Sequence, residues 1–331
     1  MIYSSKKKIS NNDIKFLEKE NIKIFNKTPF RDTLFYSPKE VSLKVKNEYM
    51  LNFLGDINNN YFLSTLKAQT VKTTIKISDD LIFGSNQTIL MAGPCSAESE
   101  EQVTQVANFI KSLNIKVFRA GCFKPRTSPF SFQGLGEDGL KILKKVCEKL
   151  DLKIISEVKD SSHFKLVENY VDIIQVGTKA MYDQSLLKMC GKSQKPILLK
   201  RGFMTTLKEY LQACDFILQE GNWRVILCER GIRTFEPMTR FTLDLGSASI
   251  LKQISHLPIV IDPSHAIGLR EHVINLASAS VAMKIDGLLI EVHGDPPNSF
   301  SDARQAMYFE DFKELQKRCK SVCSSVGKKL I

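Results

Sequence analysis

The sequence predicts a (β/α)8 barrel preceded by a small N-terminal extension, and three observations predict it. From residue 88 onward, eight short runs rich in β-branched residues and leucine recur along the chain. Amphipathic stretches of helical period separate them. Almost every run ends in an ionisable residue, which core packing does not require.

The runs are TILMAG (Thr88 to Gly93), KVFRAG (Lys116 to Gly121), KIISEV (Lys153 to Val158) and DIIQVG (Asp172 to Gly177), then PILLKRG (Pro196 to Gly202), RVILCERG (Arg224 to Gly231), PIVIDPSH (Pro258 to His265) and GLLIEVH (Gly287 to His293). Their nearly continuous apolar character suits strands of a parallel sheet buried on both faces. Between them, Glu100 to Leu113 carries Val103, Val106, Ala107 and Ile110 on one helical face, and Gly139 to Leu150 repeats the pattern with Leu140, Leu143, Val146 and Cys147. Thr206 to Gln219 opens with a Thr cap and Glu209 three residues on, a capping box. Glu271 to Lys284 places Val273, Leu276, Ala277 and Val281 together. An open doubly wound sheet is the alternative, but no GxGxxG follows the first strand. The barrel therefore spans 86–331. Residues 1–85 are rich in Lys, Asn and Phe and form an extension with a regulatory or oligomerisation role; there DIKFLEKENI reads as a short helix and TVKTTIKI (Thr70 to Ile77) as an exposed strand.

Totals narrow the function classes. The chain has 331 residues, 43% hydrophobic and 25% charged, ordinary for a globular protein. No run of about 18 apolar residues spans a membrane, and the basic run in MIYSSKKKIS has no apolar segment behind it, which argues against a secretory signal. Eight cysteines lie scattered without CxxC pairs, pointing to a reducing cytoplasm; Cys147, Cys190 and Cys214 read as buried small hydrophobes. Cys319 and Cys323 share a helix face without a second ligand pair for zinc. The charge of +11 carries no nucleic-acid motif, so no nucleic-acid partner is expected. As is common for barrel enzymes, a homo-oligomer is expected.

In a (β/α)8 barrel, catalytic groups collect at the C-terminal ends of the strands. Those ends carry Cys95 after the first run; Arg119, Lys124 and Arg126 on and after the second; Glu157, then Lys179; Lys200 and Arg201; Glu229 and Arg230; Asp262 and His265; Glu291 and His293; and Asp302 in the loop after the eighth. Closing the barrel sets strand eight beside strands seven and one, so Cys95, His265, Glu291 and Asp302 fall on one arc of the mouth. A thiolate, an imidazole and two carboxylates suit one divalent ion, Zn, Fe, Mn or Co. Arg119, Lys124, Arg126, Lys179, Lys200 and Arg230 face the same mouth. Arg offers a planar fork and Lys a point charge for phosphate or carboxylate. So many cations in one cleft require a small molecule of high negative charge. For Arg201 and Arg233, salt bridges with loop acids are the plainer reading.

GPCSAES (Gly93 to Ser99), FRAGCFKPRTSPFSFQGLG (Phe118 to Gly136), LLKRGF, ILCERGIRTFE, DPSHAIG, and EVH followed by Ser301-Asp302 occur in order over roughly residues 85 to 310. In these motifs the chain resembles the 3-deoxy-D-arabino-heptulosonate 7-phosphate synthase family, in its shorter bacterial and archaeal class I branch. The resemblance implies a metal-dependent condensation of phosphoenolpyruvate with erythrose 4-phosphate, at the head of the shikimate pathway. It implies Cys95, His265, Glu291 and Asp302 as metal ligands, and Arg119, Lys124, Lys200 and Arg230 as the phosphoenolpyruvate-holding cations. The segment Lys124, Pro125, Arg126 and Thr127 would meet the aldose phosphate. Within that scheme Lys124 is placed to donate a proton, Glu157 to orient water, and His265 to serve the reaction as a ligand. The chain departs from the family pattern in having Lys179 where arginine is usual and Gly294 where proline follows EVH. Two alternatives stay open: a related synthase taking arabinose 5-phosphate, against which KPRTSP argues, and a non-catalytic phosphoenolpyruvate-binding regulator.

Overall fold

The computed structural model describes residues 1–25, 32–56, 61–124 and 128–331. Near the N-terminus, β1 (Ile2–Ser5), α1 (Asn11–Lys19), β2 (Lys23–Phe25), β3 (Thr33–Tyr36), α2 (Leu43–Glu48) and β4 (Asn52–Gly55) make an antiparallel sheet in the order β2-β3-β1-β4. Its two faces follow the strand period of two. Tyr3 and Phe35 pack with Leu17, Val45 and Tyr49 beneath the helices, while Ile2 and Leu34 turn toward the rest of the chain. Strands of three and four residues leave too little alternation to read from sequence.

A hairpin follows, β5 (Ile75–Ser78) and β6 (Leu81–Phe83). The stretch expected as an exposed strand over 70–77 is strand only from Ile75, and Ile75 is buried. With Leu81 and Phe83 it joins the core inside the barrel, so the hairpin plugs the barrel's lower end.

The eight-stranded parallel barrel is as predicted. Its strands are β7 (Gln87–Gly93), β8 (Val117–Arg119), β9 (Lys153–Val158), β10 (Ile173–Val176), β11 (Ile197–Lys200), β12 (Val225–Glu229), β13 (Ile259–Ile261) and β14 (Gly287–Glu291). The ring closes through β14 on β7, in register from Gly287↔Ile89 to Glu291↔Gly93. Around it run α3 (Glu100–Ser112), α4 (Gly136–Lys149), α5 (Phe164–Tyr170), α6 (Gln184–Lys192), α7 (Leu207–Leu218), α8 (Leu245–Ile254), α9 (Pro263–Ile267), α10 (Arg270–Ala282) and α11 (Phe309–Ser325). The predicted capping box of Thr206 with Glu209 forms, and Ser99 caps α3 by accepting the Gln102 N–H. A short β15 (Lys329–Leu330), absent from the sequence reading, lies along the foot of β7. Among the described residues no helix is long and apolar enough to cross a membrane.

Alternation splits each strand between two cores. Ile89, Met91, Val117, Ile155, Ile173, Leu198, Ile226, Val260 and Leu289 fill the barrel, while Leu90, Ala92, Leu199 and Leu227 meet the helices. The next inward positions, two residues up each strand, are Arg119, Glu157, Gln175, Lys200, Asp262 and Glu291, while on β12 Cys228 fills that place and Arg230 follows two residues above it. That parity sets which charges face the mouth. Arg201 and Glu229 are off parity and pair outside the ring at 2.8 Å, with Asp244 at 3.1 Å from the same guanidinium. The pairing expected for Arg201 is thus present, but buried. The seventh run is also shorter than predicted. Asp262 caps α9 and Pro263 takes its first turn, so His265 rides on a helical turn rather than a strand end.

The extension is anchored at α7. Asp215 accepts backbone N–H groups from Phe62 (2.5 Å), Leu63 (3.0 Å) and Ser64 (2.8 Å), all buried. Removing the acceptor strands three buried donors. Asp215→Ala is expected to cost about 2–4 kcal/mol in urea unfolding, with Asp215→Asn, which keeps an acceptor oxygen, costing less. Equal stability of Asp215→Ala and the parent would refute the anchor.

Candidate active site

The site begins with Asp262. Its Oδ1 accepts the His265 backbone N–H at 3.0 Å, as a helix cap does. Its Oδ2 lies 2.8 Å from His265 Nδ1 and 2.6 Å from Lys200 Nζ. One carboxylate three residues ahead of the histidine therefore fixes its backbone and its ring. With the proton held on Nδ1, the Nε2 lone pair points inward. Nε2 lies 3.1 Å from Glu291 Oε1 and 3.7 Å from Asp302 Oδ2. Cys95 Sγ is 3.1 Å from Asp302 Oδ2. One ligand atom from each of Cys95, His265, Glu291 and Asp302 falls within 4.8 Å of the others.

Each of these four has an outer partner. Arg119 Nη1 donates to Glu291 Oε1 at 2.5 Å, and Gln305 Nε2 to Oε2 at 2.5 Å. Arg240 Nη1 is 3.2 Å from Asp302 Oδ1. Lys124 Nζ is 2.9 Å from Cys95 Sγ. The backbone cooperates: Gly121 N–H donates to the Cys95 carbonyl at 3.2 Å and Ala97 N–H to that of Gly121 at 3.0 Å, so the Cys95 loop continues the β7–β8 pairing. Glu291 N–H donates to Ser264 Oγ at 3.1 Å, joining β14 to the His265 turn. A mixed sulfur, nitrogen and oxygen set with supported ligands fits a divalent ion of the zinc, iron, manganese or cobalt kind.

Protonation follows burial and neighbours. Burial lowers the His265 pKa below its ordinary value, although Asp262 and Glu291 pull the other way, so the ring is neutral at pH 7. Burial opposes ionisation of Glu291 and Asp302. His265 with Arg119 outweighs it at Glu291, and His265 with Arg240 and Lys124 at Asp302, so both carboxyl pKa values end below normal. The Cys95 thiol is pushed up to about 12, by burial first and then by Glu291. Burial disfavours the Lys124 ammonium, but Cys95 and Glu157 more than compensate and its pKa is raised.

Above the cluster opens a cavity of about 370 Å³. Lys124, Lys179, Lys200, Arg230, Arg233 and Arg240 line it, with Glu157, His265 and Asp302. Lys179 stands at its exposed rim. Arg119 does not line it; this guanidinium lies at the floor, buried against Glu291. Pro125, Arg126 and Thr127 lie outside the described residues. Glu157 accepts from Gln175 Nε2 at 2.7 Å, in space that Gly177 leaves open: a Cβ there would sit 2.2 Å from Glu157 Oε1.

Phe203, Phe241, Arg240 and Gln305, and the partners of Arg230 and Asp262, escaped the sequence reading. The Arg230 guanidinium lies 4.1 Å from the Phe241 ring centre and 5.3 Å from that of Phe203, and donates to the His265 carbonyl at 3.0 Å. Arg233, expected to pair at the surface, lies over Phe203 at 5.7 Å and faces the cavity. Arg240 and Gln305 sit in loops without any motif. Only Asp262 had a legible signal, the Asp-Pro-x-His spacing of a helix cap. The cavity can bind a small polyanion beside a metal and supply or accept a proton at Lys124 and Glu157.

Comparison with known proteins bears on the family and the fold. Residues 70–326 match the model of the DAHP synthetase I family. The phospho-2-dehydro-3-deoxyheptonate aldolase of Thermotoga maritima is 43% identical over 251 residues, covering 76% of this chain and 74% of that one. A 2-dehydro-3-deoxyphosphooctonate aldolase of Geobacter sulfurreducens is 32% identical over 268 residues, 75% of this chain and 97% of its own. The crystal structure of the Thermotoga maritima DAHP synthase superimposes with a TM-score of 0.81 at 36% identity, covering 100% of this chain and 99% of that one. By this family match and the 43% identity over three quarters of the chain, the chain belongs to the DAHP synthetase I family.

Proposed function

We propose that this protein condenses phosphoenolpyruvate with erythrose 4-phosphate, giving 3-deoxy-D-arabino-heptulosonate 7-phosphate and inorganic phosphate, the first step of aromatic amino acid biosynthesis through the shikimate pathway. The observation that carries this reading is the four-ligand cluster within 4.8 Å at the floor of a cation-walled cavity. Cys95, His265, Glu291 and Asp302 would hold one divalent ion. When bound, that ion supplies Lewis acidity toward the aldehyde or toward the attacking water.

The remaining work falls to side chains. Lys200 and Arg230, with Lys179 at the rim, hold the phosphoryl and carboxylate groups of phosphoenolpyruvate. Arg119 supports that end from the floor through Glu291. Lys124 to Thr127 would meet the aldose phosphate. As the enol carbon attacks the aldehyde, Lys124 Nζ gives a proton to the nascent alkoxide oxygen. Glu157, steadied by Gln175, orients the water that adds to the adjacent carbon and takes its proton. Phosphate then leaves by C–O cleavage. The fixed cations stabilise developing charge in a site shielded from bulk water. A second reading, arabinose 5-phosphate as the aldose, is supported by the relatives named as octonate aldolases. The higher identity to the heptonate enzyme, 43% against 32%, favours erythrose 4-phosphate.

The domain division, 1–85 as a regulatory or oligomerising extension and 86–331 as the catalytic barrel, belongs to the same proposal, with the β5–β6 hairpin as the plug between them. Phe130, Phe235 and Met238 stand exposed on loops at the mouth, apolar surface that a second copy would cover in a homo-oligomer. The eight cysteines are free and buried, which supports a reducing cytoplasm.

Purified protein given both substrates and Mn²⁺ should release one phosphate per product, and EDTA should abolish turnover. Arabinose 5-phosphate should show a kcat/KM at least about tenfold lower. Phosphate release from no aldose, with tight phosphoenolpyruvate binding in calorimetry, would overturn the reading in favour of a binding protein.

Metal binding should also depend on pH. At pH 7 the only ligand still carrying its exchangeable proton is the Cys95 thiol, because His265 is neutral at Nε2 and both carboxyls are ionised. Coordination displaces that proton, so Co²⁺ affinity should rise about tenfold per pH unit between pH 7 and 8. Cys95→Ala should flatten the slope. A parent protein with no slope would contradict thiolate ligation.

A further inference from the structure

Beside the site, on the far side of its loops from the cavity, a second cluster joins the two ends of the barrel seam. Glu98 lies three residues after Cys95, in the loop that leaves β7. Its side chain is buried, at 7% exposure, and does not line the cavity. Oε1 accepts the Phe300 N–H at 2.9 Å and the Ser299 hydroxyl at 3.0 Å, with the Ser96 hydroxyl at 3.4 Å. Oε2 faces His293 Nε2 at 3.5 Å. His293 Nδ1 accepts the Asp295 N–H at 2.9 Å, so the ring proton is on Nε2, a buried atom whose nearest acidic neighbour is Glu98. Three of these four contacts come from the segment that leaves β14 and delivers Asp302.

The stitching continues next to the ligands themselves. Ser96 Oγ and Ser301 Oγ, each one residue from a ligand, are 2.5 Å apart. Ser299 Oγ also lies 2.8 Å from the Ser301 carbonyl, so its one proton is shared between that oxygen and Glu98 Oε1. Asp302 itself has φ of 53°, the left-handed region that a residue with a Cβ adopts at a cost of about 1–2 kcal/mol. Asp tolerates this region better than most residues with a Cβ, and the contacts around Ser299 and Ser301 hold the loop in it.

We propose that Glu98 is a positioning residue: it locks the Asp302 loop to the Cys95 loop across the seam and thereby sets the affinity of the four-ligand site for its ion. The inference rests on the metal reading given above. Cys95 and Asp302 come from loops joined to different strands, and β7–β14 pairing ends at Gly93 and Glu291, below both ligands. Beyond that point the ladder no longer fixes their separation. The Glu98 carboxylate takes over, with two strong acceptor contacts on one side of the seam and its own backbone on the other. His293 Nε2 faces the other carboxylate oxygen at 3.5 Å, a charge-to-dipole approach longer than a formed hydrogen bond.

The test titrates metal-free full-length protein with Co²⁺ against a competing chelator, following thiolate-to-cobalt absorption. The parent should bind with a thiolate band. Glu98→Ala should weaken Co²⁺ affinity about ten- to a hundredfold, the range seen when ligand-supporting groups are removed. The Co²⁺ concentration for half-maximal activity should rise in parallel, while kcat at saturating Co²⁺ stays within about twofold. Glu98→Gln, which keeps one acceptor oxygen toward Phe300 and so turns its NH2 donor toward His293 Nε2, should fall between. If Glu98→Ala does not fold, Glu98→Gln carries the test. Unchanged Co²⁺ affinity in the folded variant, even with a lowered melting temperature, would overturn the proposal and leave Glu98 a stability residue. A parent that binds no Co²⁺ through a thiolate would instead bring down the metal reading, and this inference with it.

Discussion

The pairing of β14 with β7 is the constraint on which the rest of the molecule depends. Five residue pairs close the ring, and with them the last loop of the barrel is brought to the first. Without closure, Cys95 and Asp302 would lie at opposite edges of an open sheet. His265 and Glu291 already share an edge, since β13 and β14 are neighbours. What closure adds is the sulfur and, through the returning loop, the second carboxylate. The hairpin below and β15 along the foot of β7 fill and brace the same ring from the other end.

Above that ring, electrostatics is arranged in pairs rather than as bare charge. Arg119 faces Glu291, Lys200 faces Asp262, and Arg201 faces Glu229, each pair buried. Ion pairs out of water recover their desolvation only with good geometry and further hydrogen bonds. Here Asp262 has the His265 backbone and ring, and Glu291 has the Gln305 amide. These pairs hold the floor rigid. The cations left facing the cavity, Lys124, Lys179, Arg230, Arg233 and Arg240, form the wall that a polyanion would meet. Arg230 is kept there by two aromatic rings and a carbonyl, leaving its outer edge to the cavity.

Much of this was legible in the sequence, and the reason is periodicity. Eight apolar runs with helical stretches between them specify the ring, and ionisable residues at the run ends specify the mouth. Parity would have gone further: counting two residues up from each inward apolar position separates Lys200 from Arg201 and Arg230 from Glu229. What could not be read has a physical cause too. Arg240 and Gln305 reach the ligands from irregular loops, where side-chain direction follows no period. Arg119 reads as a substrate-facing cation because strand parity gives its direction but not its partner, and Glu291 comes from a strand distant in sequence. The N-terminal sheet is hidden by strands too short to alternate visibly. The DPSH turn was misread as strand because Pro263 opens a helix only once Asp262 is recognised as its cap.

The seam has a consequence during synthesis. Strand β7 gains β8 within a few dozen residues, but its other neighbour begins only at Gly287. At roughly 5–20 residues per second, that edge waits on the order of ten to forty seconds for its partner while the ribosome works through six more strands. Ile89, Leu90 and Met91 are apolar and stand ready to pair throughout that interval. Until the ring is sealed, the first barrel strand keeps one unpaired edge, the price of closing a sheet with the two most distant strands of the barrel.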